Sequence, residues 1–243
     1  MNKEPDNFPL FPHLRERSNK GIDRHTQRSK WVTELLDWPN LPNDLLAAAK
    51  EAEFCLRDQV IVLFVCDSGA RPSEVIELSI GEWRTRGCQQ EVLIAPKGGR
   101  DQGARLLRFH PVTAELLYSY VNGERKQYDL QHRELKLLAD RDPLFLSQHQ
   151  RAYTYNAFLS HWRQLCQVVG FSLPLHGLRI WYVLQQLWII HEHPWNHIEL
   201  DLLKNKLAQC MGWSSSRPLD EYEHYVRMKQ DEEVMFRVLD TWK

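Results

Sequence analysis

The apolar positions follow a helical period along most of the chain and change to a strand period in one segment. The stretch 56–68 contains the continuous apolar run Val60–Cys66 and predicts a buried helix ending near Gly69, with a short helix opening at Pro72. "EVLIAP" and "ARLLRF" are instead short runs separated by "KGGRDQG", which is dense in turn residues and predicts a β-hairpin with a long basic tip. These patterns predict a mainly α fold with a small antiparallel β-sheet.

Several further helices are predicted around these elements. "LPNDLLAAAKEAEF" combines strong helix formers with a cap at Asn43 or Asp44. "PLFLS" predicts a short strand or an extended connector. Beyond the hairpin, helices are predicted at about 112–127, 153–169, 177–191, 196–210, 218–226 and 230–242.

The chain divides into a polar lead-in and one domain. Residues 1–30 contain prolines and no sustained apolar period, which predicts an extended N-terminal lead-in or linker, and 31–243 form the domain. The longest apolar run, Val60–Cys66, is far too short to cross a membrane. The five cysteines are scattered, and the N-terminus has no apolar signal region. We therefore expect a reduced, cytoplasmic protein.

Basic charge is concentrated locally although the net charge is only −1. Between residues 84 and 108 there are six basic and two acidic residues. Such a patch can bind nucleic-acid phosphates, although a solvated hairpin is the simpler interpretation of the counts alone. The candidate DNA-binding residues are Arg84, Arg86, Arg100, Arg105 and Arg108.

Four separate segments supply groups suited to breaking a phosphodiester. Arginines can hold the non-bridging oxygens and neutralise charge in the transition state. A lysine on a hairpin can protonate a leaving oxygen, and a histidine can assist the nucleophile. A tyrosine hydroxyl is a weak nucleophile that a cationic cluster would help to ionise. The candidate residues are Arg71 with Glu74, Lys97, His176 with Arg179, and Trp213 with Tyr222.

The order and spacing of these motifs resemble the catalytic domain of the tyrosine recombinases, the phage-integrase family. "SGARPSEVIEL" is similar to the box with the first arginine, "HGLR" to the H-x-x-R box, and "MGWSSSRPLDEYEH" to the final tyrosine box. The hairpin lysine falls between the first two boxes, as it does in the family. The resemblance covers roughly residues 31–228 and implies the fold of that catalytic domain.

The resemblance also implies a role for each residue. Arg71 and Arg179 would clamp the phosphate, with His176 as an acid/base or phosphate donor. Lys97 would be the general acid and Glu74 a supporting acidic residue. Tyr222 would be the nucleophile that forms a 3′-phosphotyrosine link.

The resemblance favours Tyr222 over Tyr225, because Tyr-x-His follows Leu-Gly-His by nine residues in the family's final box, and Tyr222 lies nine residues after Trp213 and begins a Tyr-x-His sequence. The chain departs from the family in two places. It has Met-Gly-Trp where Leu-Gly-His is usual, and it has Ile180 after H-x-x-R where histidine is frequent. The stretch before the first box is too short for the family's N-terminal DNA-clamping domain. We expect either a piece of a longer protein or a minimal member.

The resemblance implies a site-specific DNA recombinase or integrase that acts on double-stranded DNA without a metal or other cofactor. Two alternatives stay open: a catalytically silent DNA-binding accessory protein, and a type IB topoisomerase-like enzyme. "HEHPWNH" does not match H-E-x-x-H, and Pro194 interrupts it, so a loop between two helices is predicted there rather than a metal site.

The last predicted helix has an apolar stripe. It is formed by Met235, Val238, Leu239 and Trp242. The stripe would pack either on its own domain or, as the resemblance implies, on a neighbouring protomer in a tetramer on DNA.

Overall fold

The computed structural model describes residues 32–94, 104–170 and 172–240. The predicted lead-in over 1–30 lies outside these ranges. Residues 32–36 are helical. The further elements are α1 (Leu41–Glu51), α2 (Leu56–Ser68), α3 (Pro72–Ile76), α4 (Ile80–Arg84), β1 (Glu91–Ile94), β2 (Arg105–Arg108), α5 (Pro111–Asn122), α6 (Glu124–Tyr128), a 3-10 turn (Leu135–Leu137), α7 (Tyr155–Val169), α8 (Gly177–His191), α9 (His197–Cys210) and α10 (Arg217–Asp240).

Helix α2 is the centre of the core. Its side chains are buried on nearly every face, as its continuous apolar run predicts, and it packs against α1, α5 and α8. Gly69 ends the helix in the left-handed conformation with φ of +62°, which a residue without Cβ adopts at little cost. This sharp end directs the chain into Arg71 and α3.

The predicted hairpin is present as a two-stranded antiparallel sheet in which Glu91 pairs with Arg108 and Ile94 with Arg105. Val92 and Leu107 point into the core. The "PLFLS" segment is an extended connector with isolated bridges, Ser79 to Pro143 and Leu146 to Ala152. The predicted mainly α fold with a small antiparallel sheet is confirmed.

One boundary prediction at the C-terminus is wrong. Helices at 218–226 and 230–242 were expected as separate elements, but α10 runs without a break from Arg217 to Asp240. The residues between, Arg227 to Lys229, are good helix formers, so nothing in the local sequence stops the helix. An ion pair of 2.6 Å between Arg227 and Glu223 one turn earlier supports this continuity.

Two helix starts and one helix interior also differ from the prediction. Helix α1 begins at Leu41, before the predicted cap, because proline is tolerated in a first turn. The predicted helix at 112–127 is interrupted at Gly123, whose ψ of −94° is not helical. Helix α4 was not predicted, although Ser79 and Glu82 form the capping box that marks such a start.

"HEHPWNH" forms the predicted loop, since α8 ends at His191 and α9 begins at His197. Within the described ranges, no helix is both long and apolar enough to span a bilayer.

Candidate active site

Five of the sequence-predicted site residues line one cavity of about 480 Å³. They come from the turn before α3, the start of α8, the connection between α9 and α10, and the second turn of α10, and are separated by up to about 150 positions in the sequence. The five are Arg71, His176, Arg179, Trp213 and Tyr222. The fold therefore brings together groups that no local segment could assemble.

Arg71 lies at the mouth of the cavity, with its side chain 47% exposed. Its guanidinium donates to Glu74 Oε1 at 2.8 Å, and its backbone amide donates to Glu74 Oε2 at 2.8 Å. Arg105 reaches the same carboxylate from β2, donating to Oε1 at 2.5 Å. Glu74 thus holds both arginines in place and fixes the direction of Arg71.

The pKa of the Glu74 carboxyl reports this arrangement. Burial alone would raise the pKa, but hydrogen bonds from Arg71 and the charge of Arg105 outweigh it and lower the pKa below the ordinary value. Glu74 is therefore ionised at neutral pH and offsets part of the positive charge.

Arg179 lies deeper, in the first turn of α8, and is 8% exposed. Its guanidinium donates to the Gly69 carbonyl and, at 2.5 Å, to the Met211 carbonyl. Burial lowers its pKa to about 10, and the charge of Arg71 acts in the same direction, so the group stays protonated at neutral pH. The positive charges of Arg71 and Arg179 repel each other, and an anion bound in the cavity would offset this repulsion.

Trp213, which follows a turn at Gly212, forms another wall of the cavity. Gly212 has φ of +64°, and a Cβ there would approach the Arg105 guanidinium to 2.9 Å, so this turn needs glycine. The Arg105 Nη1 group donates to the Cys210 carbonyl at 2.9 Å. The Arg179 guanidinium carbon lies 5.6 Å from the centroid of the Trp213 ring.

Tyr222 lines the cavity from the second turn of α10 and is 7% exposed. Tyr225 is half-buried against the core, outside the lining of this cavity, and its ring contacts that of His224 with centroids 5.8 Å apart. Glu223 beside Tyr222 binds Lys204 of α9 at 2.5 Å, which ties α10 to its neighbour. The structure therefore separates the two tyrosines by position.

The chemistry of this cavity suits a phosphate better than a metal ion. Arg71 and Arg179 supply two permanent positive charges, and the carboxylate of Glu74 already accepts hydrogen bonds from Arg71 and Arg105. Guanidinium groups match the oxygens of a phosphate in fork geometry.

Comparison with solved structures identifies the fold. The chain is similar to a crystal structure of XerA recombinase, with a TM-score of 0.55 and 16% identity over 90% of this chain and 66% of XerA. It is also similar to XerH site-specific recombinase in a post-cleavage complex with palindromic difH substrate, with a TM-score of 0.58 and 18% identity over 83% of this chain and 51% of XerH. For the pre-cleavage complex of XerH with difH substrate, the TM-score is 0.57 and the identity 18%, over 83% of this chain and 52% of XerH.

The chain has the fold of a tyrosine recombinase catalytic domain. It spans about two thirds of XerA and half of XerH. No protein-family model matches the sequence, and no curated protein matches it. The similarity is thus one of fold, at 16–18% sequence identity.

In this recombinase fold, two predicted residues cannot be placed. Lys97 and Arg100 lie in the connection between β1 and β2, outside the described residues. Their predicted roles, as general acid and as DNA contact, stay predictions.

The remaining predicted DNA contacts differ in their surroundings. Arg84 is engaged within the protein, pairing with Asp140 and donating to the Leu135 and Leu138 carbonyls, each at 2.9 Å. Arg86 and Arg108 flank Glu91 at 2.6 and 2.8 Å, with 42% and 76% of their side chains exposed.

Sequence reasoning missed part of the site. Tyr155 lines the cavity from the first residue of α7, and no motif in the sequence marks it. Arg105 was predicted as a DNA contact, but its side chain is only 13% exposed and is bound to Glu74. A signal for this inward position was present in β2. Side chains alternate along a strand, so Arg105 lies on the same side of the sheet as Leu107, which is buried in the core.

Proposed function

We propose that this chain is a site-specific DNA strand transferase that cleaves and rejoins DNA through Tyr222. The observation that carries the proposal is the convergence of Arg71, His176, Arg179, Trp213 and Tyr222 on one cavity. A tyrosine beside two guanidinium groups is suited to attack on a bound phosphodiester.

In the first step, the Tyr222 oxygen attacks the phosphorus and the bond to the 5′-oxygen breaks. Arg71 and Arg179 bind the non-bridging oxygens, where negative charge develops. Lys97 donates the proton that the leaving 5′-oxygen takes up, and His176 accepts the proton of the tyrosine or binds a phosphate oxygen. The product is a 3′-phosphotyrosine and a free 5′-hydroxyl.

In the second step, a 5′-hydroxyl attacks the phosphotyrosine and releases Tyr222. Because the phosphodiester energy is retained in the covalent link, this exchange needs no nucleotide. The same residues act in reverse, with Arg71 and Arg179 again holding the phosphate. Exchange between two DNA duplexes is recombination.

Trapping of the covalent intermediate tests this proposal. Nicked duplexes with a randomised central sequence lose the short 5′-hydroxyl strand after cleavage, so the link persists and is seen as a shifted band in a denaturing gel. We expect the wild-type chain to form the link and Tyr222→Phe to lose it, because the phenyl ring keeps the packing but has no oxygen.

Tyr225→Phe is the matched control, since it removes a hydroxyl from the same helix outside the cavity, and it should keep the link. A link that survives Tyr222→Phe and disappears in Tyr225→Phe would reassign the nucleophile. DNA binding without any link in the wild type would favour a silent accessory protein. Plasmid relaxation without strand exchange would favour a topoisomerase-like enzyme.

We further propose that the end of α10 docks on a neighbouring copy when the chain assembles as a tetramer on paired DNA sites. Met235 and Val238 are 66% and 48% exposed, so this part of the predicted stripe does not pack in the core of its own domain. Phe236 and Val234 beside them are also exposed. The Leu239 side chain and Trp242 lie outside the described residues.

Met235→Asp tests the docking proposal. We expect it to leave the melting temperature and cleavage of single sites unchanged but to reduce the assembly of paired sites, measured by sedimentation of the DNA complex. Glu232→Gln, an exposed change on the same helix, should assemble as the wild type does. Equal assembly in both variants would contradict the docking role.

A further inference from the structure

A second cluster of reactive side chains lies away from the candidate active site. Cys55, Asp58 and His161 place a sulfur, a carboxylate oxygen and a ring nitrogen within 4.8 Å of one another. The Cys55 Sγ lies 3.0 Å from Asp58 Oδ2, and that oxygen lies 2.5 Å from His161 Nδ1. Cys55 directly precedes α2, Asp58 lies in the first turn of α2, and His161 lies in α7, 103 residues after Asp58.

This cluster borders a cavity of about 430 Å³ that all three residues line. It shares no lining residue with the candidate catalytic cavity. The three donor atoms therefore have open space beside them, into which a fourth ligand such as water can enter. Tyr153, whose hydroxyl lies 3.0 Å from His161 Nδ1, forms part of the same wall.

The donor groups are held by the surrounding structure. The Asp58 side chain is only 4% exposed, and Arg57 donates to its Oδ1 at 3.2 Å. Arg57 also donates to the Cys55 sulfur at 3.2 Å and stacks on the Tyr153 ring, 3.6 Å from the centroid. Outer groups of this kind orient metal ligands and stabilise a bound thiolate.

We propose that Cys55, Asp58 and His161 bind a zinc ion, with a water molecule as the fourth ligand. A sulfur, an imidazole nitrogen and a carboxylate oxygen form a donor set typical of zinc, and a set of three protein ligands leaves one tetrahedral position open. To admit the ion, Asp58 Oδ2 and His161 Nδ1, now 2.5 Å apart, must separate to about 3.3 Å, the spacing of two such ligands on a tetrahedral zinc ion. His161 then carries its proton on Nε2.

Binding must displace one proton from the thiol. In the free site the Cys55 thiol donates a hydrogen bond to Asp58 Oδ2 at 3.0 Å. The ion replaces that proton, which goes to solvent. The positive charge of Arg57 opposes a dication, so we expect weaker binding than at zinc sites with four protein ligands.

Such an ion would connect α2 to α7. Helix α2 leads through Gly69 to Arg71, and α7 begins at Tyr155, which lines the candidate catalytic cavity. The proposed ion is therefore a structural brace between two elements that carry cavity residues. This inference does not depend on the proposed strand-transfer activity.

Cobalt titration of the full, metal-free chain tests the site. Co²⁺ takes zinc positions and gives a thiolate-to-metal absorption band when sulfur is a ligand. We expect the band in the wild type, its loss on addition of zinc, and its loss in Cys55→Ser. Cys210→Ser, which changes an exposed cysteine, should keep the band at full intensity.

His161→Gln gives a second variant that retains the thiol, and we expect a large fall in its apparent cobalt affinity. Circular dichroism establishes that each variant is folded, and zinc should raise the melting temperature of the wild type but not that of Cys55→Ser. No thiolate band in the folded wild type would overturn the proposal. A band that persists in Cys55→Ser and is lost in Cys210→Ser would overturn it as well.

Discussion

At the scale of single residues, the site is organised around one carboxylate. Glu74 accepts hydrogen bonds from Arg71 and from Arg105, which come from α3 and β2. Without this shared acceptor, two guanidinium groups and Arg179 would repel one another across a small space. Glu74 therefore makes a dense positive site compatible with a folded protein.

The ionisation of Glu74 gives a prediction for the pH dependence of stability. Its pKa in the folded chain lies below the ordinary value of 4.5, so the folded state binds this proton less tightly than the unfolded state. The ionised carboxylate stabilises the fold fully above about pH 4.5, and this contribution is lost as the pH falls through the folded pKa. Glu74→Gln should therefore be less stable than the wild type at neutral pH.

Urea unfolding of both proteins, at neutral pH and in steps through the acidic range, measures the difference between their free energies of unfolding. We expect this difference to become smaller as the pH falls below about 4.5. A difference in free energy of unfolding that stays constant through this range would show that ionisation of Glu74 does not contribute to stability.

At the scale of elements, the ends of helices position the catalytic candidates. The end of α2 at Gly69 presents a carbonyl to Arg179, and the end of α9 presents the Met211 carbonyl to the same guanidinium. Two helix ends from distant parts of the sequence thus fix one arginine. The unsatisfied carbonyls that terminate any helix serve here as acceptors.

Gly69→Ala tests this arrangement. The backbone there has φ of +62°, and a Cβ would meet the Tyr182 ring and, at 2.9 Å, the Met211 sulfur. We expect the change to destabilise the fold by about 1–3 kcal/mol and to displace the carbonyl that binds Arg179. Thermal unfolding measures the first effect and covalent-link formation the second.

Gly170→Ala is a suitable control, because Gly170 has a similar φ of +72° but no atom within 4 Å of an added Cβ. It should show the backbone strain without the steric contact. Equal losses of stability in the two variants would contradict a specific packing role for Gly69.

At the scale of the whole molecule, the net charge of −1 is the sum of locally uneven charge. The candidate cavity carries Arg71 and Arg179, while Arg86, in the segment before β1, and Arg108, in β2, are exposed on either side of Glu91. The proposed binding to DNA would depend on local positive charge of this kind, because each phosphate that a protein neutralises releases condensed counterions.

The salt dependence of DNA binding separates the surface arginines by role. Arg108, which is 76% exposed, should contribute a phosphate contact. The negative slope of log affinity against log salt concentration should therefore become less steep by about 1 in Arg108→Ala. Arg84→Ala should leave that slope unchanged and reduce thermal stability, because it removes contacts to Asp140 and two carbonyls. Identical slopes for wild type and Arg108→Ala would exclude Arg108 as a phosphate contact.

The sequence predicted the fold class and the main elements because helical and strand periods are local properties. The buried run of α2, the hairpin and the bounds of α8 follow directly from apolar spacing. The break predicted between 226 and 230 was wrong although the residues there are good helix formers, because the boundaries of helices are the least reliable part of a prediction from apolar spacing.

The sequence by itself determined which chemical groups are present and in what order, and its resemblance to the recombinase family favoured Tyr222 over Tyr225 as the predicted nucleophile. Only the tertiary structure decided which groups meet. It placed Tyr222 in the cavity and Tyr225 outside its lining, engaged Arg105 with Glu74, and joined Asp58 to His161 across 103 positions. The physical reason is that contacts between distant segments depend on how helices pack, and spacing along one segment carries no record of its partner.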